Sequence, residues 1–452
     1  MVKKHLISNE KLSYGSNSLI FDRLNQALLF FLVVLPVTLN EVRGIFIVAT
    51  FLFNLFKIIF YKIAINRYVI LVHILMQISA GISILIGLVN DNPGVWEQSL
   101  IFFVFPNLYI VIFCSINSVQ QIKNYNNAII WGTIFTGIVS VYILGITTYN
   151  LPDPLGIQYI FSATTTYSDG SVSAVDYSNG VKVRLYATST LIYTVPFLVS
   201  LLFLNSNRDK LTNRGSWLIV IALILGLIVA ILSGRRALIL NIALTLLFII
   251  FIKLIYPKSP IILSKILIIS TGSIYLLIVL SLIFSQISNS KGGEDSKNII
   301  DYISLAFSTT DSGNIERIIQ NDALIAGWKD NFIVGNGLGS YVNDVVRNDR
   351  PWLYETQYSL MLFQQGLMGF SIYIFGILWI VGNFLTSMRK DMSRIYMLLP
   401  NLAGMISFLI ANSSNPYLAA FGHLWVIFLP IGIVNFFLNQ DSRNRDRKDI
   451  DA

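Results

Sequence analysis

Two adjacent arginines are the residues in this sequence whose type and position most suggest chemistry. Arg235 and Arg236 lie in a short turn, residues 233–237, between two almost wholly apolar segments. A guanidinium costs up to about 3 kcal/mol where it faces lipid, so an anion should compensate the charge. Arginine suits phosphate or carboxylate because its planar fork forms paired, charge-assisted hydrogen bonds and stays protonated. The alternative is that both side chains extend to lipid headgroups.

A second polar stretch surrounds Arg317 and Glu355. Residues 313–328 have the pattern of an amphipathic helix, with Arg317 near its start, and the turn at 335–341 contains three alternating glycines. No strand precedes these glycines, so a nucleotide-binding fingerprint is not indicated, and they are expected to let the loop fold back onto the membrane. On local grounds, Arg317 is equally compatible with an ordinary charge on a helix surface.

The composition indicates the element class that must position these residues. Hydrophobic residues make up 54% of the 452 and charged residues 12%, against about 25% charged in an ordinary soluble domain. Apolar runs of about 17 to 25 residues match a hydrocarbon core of about 30 Å, and the alternating pattern of a membrane barrel is absent. The sequence therefore predicts an all-α polytopic membrane protein.

The apolar runs predict about twelve transmembrane helices and one large loop. We divide the chain into helices 1–9 with a cytoplasmic N-terminus (1–286), a large extracytoplasmic loop (287–356), helices 10–12 (357–438) and a basic tail (439–452). The predicted spans are 24–40, 44–61, 68–89, 100–117, 128–148, 188–205, 217–233, 237–256, 261–286, 357–386, 395–412 and 421–438.

The basic residues predict which side of the membrane each connection faces. In a twelve-span count, 21 of the 32 Lys and Arg residues fall in segments on one side. The positive-inside rule assigns that side, with both termini, to the cytoplasm. The positive net charge is thus a signal of topology, and no nucleic-acid partner is expected. No phosphate-binding loop ending in Lys-Ser or Lys-Thr occurs, which argues against ATP-driven work.

Several motifs in the second half resemble the O-antigen ligase and polymerase family. They are the Ser-Gly-x-Arg turn at 233–236, the arginine that heads the loop helix, the Gly-x-Gly-x-Gly-x-Tyr turn at 335–341 and the Gln-Gly-Leu-Met-Gly end at 365–369. The late Asn-Pro-Tyr turn at 415–417 fits as well. The resemblance covers about residues 182 to 417, whereas the first half agrees only in hydropathy.

The resemblance implies a GT-C-like glycosyltransferase in the bacterial cytoplasmic (inner) membrane. Its donor would be an oligosaccharide on polyprenyl pyrophosphate, bound at the extracytoplasmic face, and its partners would be membrane lipids, a lipid-linked acceptor and a chain-length regulator. Arg236 and Arg317 match two family arginines, and Arg184 matches a third less closely. Together with Arg235, they would bind the charge that develops on pyrophosphate as the anomeric bond breaks. This chemistry needs no metal ion and no cofactor.

Glu355 stands where the ligases of this family carry a histidine, within the sequence Tyr354-Glu355-Thr356-Gln357. This departure favours a polymerase over a ligase, with Glu355 as the base for the acceptor hydroxyl and Tyr354 and Gln357 as neighbouring candidates. Glu355 is equally open to other roles, namely a salt bridge to Arg347 or Arg350, or an acid in the first turn of a helix.

Three further alternatives stay open from the sequence. His423, at the start of the last span, is a candidate catalytic residue, but a packing role suits it better. Tyrosines and tryptophans in the outer loops can stack on sugars, but they also populate any membrane interface. Finally, a twelve-span flippase or other transporter remains the alternative to an enzyme, although transporters place charges near the midplane and these spans are almost free of charge.

Overall fold

The computed structural model of the chain is a helical bundle. It describes residues 16–154, 156–161, 165–166, 172–173, 175–176, 182–183, 185–204, 216–233, 236–262, 312–346 and 350–451. Residues 263–311, which include all but the first two residues of the predicted ninth span and the first part of the large loop, lie outside the described residues.

Ten helices are described in the first half of the bundle, and two of them join end to end. The helices are α1 (Ser16–Val34), α2 (Asn40–Phe60), α3 (Arg67–Val89), α4 (Val95–Ser99), α5 (Phe105–Cys114), α6 (Val119–Tyr149), α7 (Ile157–Phe161), α8 (Leu191–Phe203), α9 (Ser216–Leu232) and α10 (Arg236–Ile255). A π-helical turn, Leu100–Val104, joins α4 to α5.

The described residues of the second half form four helices, and short strands occur between α7 and α8. The helices are α11 (Ser312–Asp330), α12 (Gln357–Lys390), α13 (Ile395–Ala411) and α14 (Trp425–Asp451). The strands form two antiparallel pairs, β1 (Thr165–Thr166) with β2 (Val172–Ser173) and β3 (Val175–Asp176) with β4 (Lys182–Val183).

Among the described residues, seven helical segments are long and apolar enough to cross a membrane. Three shorter apolar helices, within α8, α9 and α10, accompany them. The chain is therefore a multi-pass membrane protein by helix length and hydropathy. The first predicted span, 24–40, is displaced, because α1 ends at Val34 just before Pro36, whose ring disfavours a helical residue in front of it.

The most buried helices form the centre of the bundle. Every residue of α8 is buried, and α8 packs against α13, α9 and α10. In the 18-residue apolar stretch that includes most of α13, 83% of the residues are buried, whereas in the corresponding stretch of α12 only 22% are buried. Because a lipid-facing helix needs no protein partner on its apolar outer face, this contrast places α12 at the periphery and α13 inside.

The two ends of the bundle differ in charge. At the end where α12 finishes, Lys390 and Arg394 pair with Asp441 of α14 at 2.8 and 2.7 Å. These basic residues belong to the set that the charge distribution assigns to the cytoplasm. At the opposite end, where α12 begins, α11 packs across its first turns, and the Ser359 hydroxyl donates to Asn321 at 2.6 Å.

The loop after α11 is inserted into a break in α12. Gly366 has φ 65° and ψ −175°, which interrupts the helix. The released groups are satisfied by hydrogen bonds from Asn336 N to Phe363 O (2.9 Å), Gly337 N to Gln364 O (2.9 Å), Leu367 N to Phe332 O (2.9 Å) and Met368 N to Ile333 O (3.0 Å). A broken helix in an apolar environment requires such replacement bonds, so residues 332–337 act as a substitute for the missing turn.

Gly337 is one of the tight points of this insertion. Its φ is 85°, and a Cβ there would lie 2.3 Å from the backbone nitrogen of Gly87 in α3. The next residue, Leu338, donates its N–H to Ser83 O at 2.8 Å. The loop therefore joins α3 to α12 by backbone contacts that leave no room for a side chain.

We expect Gly337→Ala to destabilise this junction. A left-handed alanine costs about 1–3 kcal/mol before the backbone clash is added. The measurement is the midpoint of thermal unfolding in detergent, together with protease cleavage between residues 331 and 345, which should accelerate. Gly382→Ala in α12 is the matched control, because a Cβ there meets nothing within 4 Å. Equal stability of the two variants would contradict the insertion.

Candidate functional site

Arg317 and Glu355, which the sequence places 38 positions apart, form an ion pair. The Arg317 Nε lies 2.6 Å from Glu355 Oε2, and the two side chains are 30% and 14% exposed. Arg317 projects from α11, and Glu355 lies two residues before the start of α12. The structure thus brings together two of the three residues for which the sequence suggests a catalytic role.

Arg317 is also fixed by neutral acceptors. Its Nε donates to the Ser414 carbonyl at 3.1 Å, and its Nη1 donates to Asn314 Oδ1 at 3.2 Å. Ser414 belongs to the turn after α13 that leads into the Asn415–Tyr417 motif. The guanidinium therefore ties α11 to the end of α13, and its position does not depend on Glu355 alone.

The backbone of Glu355 is held by a buried glutamine. The Glu355 N–H donates to Gln320 Oε1 at 2.8 Å, and Gln320 Nε2 donates to Glu316 Oε1 at 3.3 Å. Gln320 is 1% exposed and lies on α11, one turn after Glu316. Because hydrogen-bonded buried amides have little rotational freedom, this arrangement fixes where the Glu355 side chain begins.

The alternative salt bridge of Glu355 to Arg350 is not the arrangement observed. Arg350 Nη1 instead pairs with Glu97 of α4 at 2.9 Å, and this pair is largely exposed, at 59% and 34%. Arg347, the other suggested partner, lies outside the described residues. The other alternative, an acid in the first turn of a helix, is not observed, because α12 begins at Gln357 and Glu355 lies one residue before its N-cap, Thr356.

The other candidate arginines can be placed only in part. Arg184 and Arg235 lie outside the described residues. Arg236 is the first residue of α10, and only its backbone is described. Their predicted contribution to a diphosphate site stays a prediction.

Tyr354 and Gln357 are buried beside the ion pair. Tyr354 is 2% exposed, its hydroxyl oxygen accepts the Val342 N–H at 2.8 Å, and its ring packs with Leu324 of α11. Burial raises the pKa of the Tyr354 hydroxyl, which keeps it protonated. The ring is thus enclosed and gives no surface on which a sugar can stack. Gln357 is 1% exposed and donates its backbone N–H to the Glu355 carbonyl at 3.1 Å.

His423 is a buried packing residue with a specific partner. Its Nε2 lies 2.7 Å from Ser189 Oγ, and its ring contacts Tyr417 and Phe408. At 2% exposure, the imidazole does not face an open surface. This geometry supports the packing interpretation over the catalytic one.

Arg43 belongs to no motif in the sequence, and in the fold it lies against Phe421, two residues before His423. Arg43 is fully buried; its Nη1 donates to Leu35 O at 3.0 Å and Thr38 O at 3.2 Å, and its guanidinium lies 4.3 Å from the centre of the Phe421 ring. It satisfies carbonyls just after α1, a place where cations are stabilised. One feature of the sequence could have identified Arg43: it falls in an extracytoplasmic connection of the predicted topology, where basic residues are few.

No cluster of three or more His, Cys, Asp or Glu residues suitable for a metal ion occurs within the described part of the chain. Comparison of the chain with protein-family models, with curated proteins and with solved structures gives no significant match. The functional conclusion therefore depends on the site and on the motifs around it.

Proposed function

We propose that this protein is a polysaccharide polymerase of the bacterial cytoplasmic membrane, a GT-C-like glycosyltransferase that uses polyprenyl-pyrophosphate-linked glycans. The observation that supports this proposal most is the meeting of Arg317 and Glu355 at the end of the bundle opposite the cluster of Lys390, Arg394 and Asp441. Glycan transfer from a diphosphate donor requires a group that binds the anion and a group that accepts a proton, and this pair supplies one of each.

In the proposed reaction, the hydroxyl oxygen of a lipid-linked repeat unit attacks the anomeric carbon of the donor glycan. The anomeric C–O bond breaks, and its electron pair leaves with the polyprenyl pyrophosphate. Arg317 stabilises the added negative charge, and Arg236, the first residue of α10, is the second arginine that we propose for this role. The Glu355 carboxylate takes the proton of the attacking hydroxyl, so the products are a longer lipid-linked glycan and a free polyprenyl pyrophosphate.

The test is to incubate the purified protein with its polyprenyl-pyrophosphate-linked repeat unit and to separate the products by electrophoresis. We expect a ladder of lengths, and we expect Arg236→Ala to yield no long polymer while remaining folded. A single transfer to a final lipid acceptor would identify a ligase instead. Full-length polymer from the Arg236→Ala variant would remove that residue from the site.

The flippase alternative is favoured by one specific feature, the polar interior of α3 and α5 beside the broken helix α12. His73 Nε2 lies 2.9 Å from Asn107 Oδ1, and Asn107 donates to Gln77 Oε1 at 2.8 Å. Broken helices and intramembrane polar groups are common in transporters. Movement of a labelled lipid-linked glycan across proteoliposomes, without formation of any new glycosidic bond, would establish this alternative.

A further inference from the structure

The ion pair at the site places the protein's own carboxylate where the proposed site would hold the substrate's phosphate. Carboxylate and phosphate oxygens form the same kind of charge-assisted hydrogen bond with a guanidinium. With Nε at 2.6 Å from Glu355 Oε2, an incoming anion cannot take the same position on Arg317 while Glu355 remains there.

The surroundings of the pair would allow the carboxylate to leave without loss of the arginine's position. Arg317 keeps its bonds to the Ser414 carbonyl and to Asn314. The main chain of Glu355 keeps its bond to Gln320, so only the rotatable carbons of the Glu355 side chain need to move. Both side chains are partly exposed, which gives a soluble anion access to the pair.

We propose that Glu355 is an internal competitor for the anion site of Arg317, displaced when a diphosphate binds. This inference rests on the proposed function and concerns regulation of the same site. A displaced Glu355 no longer pairs with Arg317 and lies beside the bound donor, where it can accept the proton of the acceptor hydroxyl. The base is therefore engaged with Arg317 before donor binds and becomes available once donor is present.

The experiment measures the affinity of inorganic pyrophosphate for the purified full chain in detergent, by calorimetry. Glu355→Gln removes the competing charge at nearly constant size, and we expect binding about threefold to tenfold tighter than in the parent protein. Glu355→Ala serves as a second variant and should show the same direction. Arg317→Ala should lose binding, and addition of Glu355→Gln to Arg317→Ala should not restore it.

Glu97→Gln is the matched control, because Glu97 of α4 forms a second ion pair with this loop, through Arg350. It removes the same charge without touching Arg317, so its affinity should equal that of the parent. Equal affinities for the parent and both Glu355 variants, with loss in Arg317→Ala, would overturn the competitor while leaving the donor site intact. A gain in Glu97→Gln as large as that in Glu355→Gln would also overturn it. Absence of pyrophosphate binding in every variant would overturn both the competitor and the donor site.

Discussion

Arg317→Ala is expected to lower the rate of glycan transfer by about 100-fold to 1,000-fold, the effect typical of removing one donor that stabilises developing charge. Arg317 is the described cation closest to the proposed proton acceptor, at 2.6 Å from Glu355. Because negative charge grows on the departing pyrophosphate, loss of Arg317 would remove more stabilisation from the transition state than from the bound donor. The measurement is the initial rate of polymer formation by purified variants matched for membrane insertion.

Two further variants separate a functional loss from a structural one. Arg350→Ala removes an arginine from the same loop, but its side chain is 59% exposed and pairs with Glu97, so transfer should be nearly unchanged. Arg317→Lys keeps the charge and loses the planar fork, so an intermediate rate is expected. A normal rate in Arg317→Ala, or an equal loss in Arg350→Ala, would contradict the assignment of the site to Arg317.

Most helix positions could be predicted from the sequence, because long apolar runs end abruptly at polar residues. Predicted spans 68–89 and 395–412 correspond closely to α3 (Arg67–Val89) and α13 (Ile395–Ala411). The first span could not be placed correctly because hydropathy runs through Pro36, whereas the backbone turns there. Helix ends inside an apolar run depend on backbone geometry, and hydropathy does not record it.

The residues that form the break in α12 could be recognised in the sequence, but the break itself could not be predicted. The glycines at 335–341 indicated turns, and Gly366 occurred in a motif, but nothing local indicated that the two segments meet. Their meeting depends on the exchange of backbone hydrogen bonds between residues 332–337 and 363–368. Backbone groups are the same in every residue, so a sequence pattern carries almost no record of such pairing.

The site was predictable in its principal residues and unpredictable in their supports. Arg317 and Glu355 were identifiable from the motifs of the second half of the chain, although local pattern alone left Arg317 equally compatible with an ordinary charge on a helix surface. Gln320, Ser414 and Arg43 were not, because a buried amide, a carbonyl and a capping arginine acquire their roles only from what lies opposite them. The sequence motifs therefore identified the charged residues, whereas tertiary packing determines which groups position them.

Glu355→Gln is expected to slow transfer by about 100-fold to 10,000-fold, the usual contribution of a general base. An amide cannot take the hydroxyl proton, yet it has nearly the same size as the carboxylate and leaves the backbone bond to Gln320 available. Donor binding should therefore be retained or improved while turnover falls. This combination separates a base from a residue that only holds the loop in place, since loss of the loop would weaken donor binding as well.

The decisive measurement is a single-turnover rate with saturating donor, taken alongside the donor's dissociation constant. Asp322→Asn is the matched control, because Asp322 is an exposed acid on α11 and the change is the same acid-to-amide substitution. It should leave both quantities unchanged. Unchanged turnover in Glu355→Gln would eliminate Glu355 as the base, and weaker donor binding with equally reduced turnover would assign it a structural role. In either case, the acceptor's proton would have to leave by another group at the same end of the bundle.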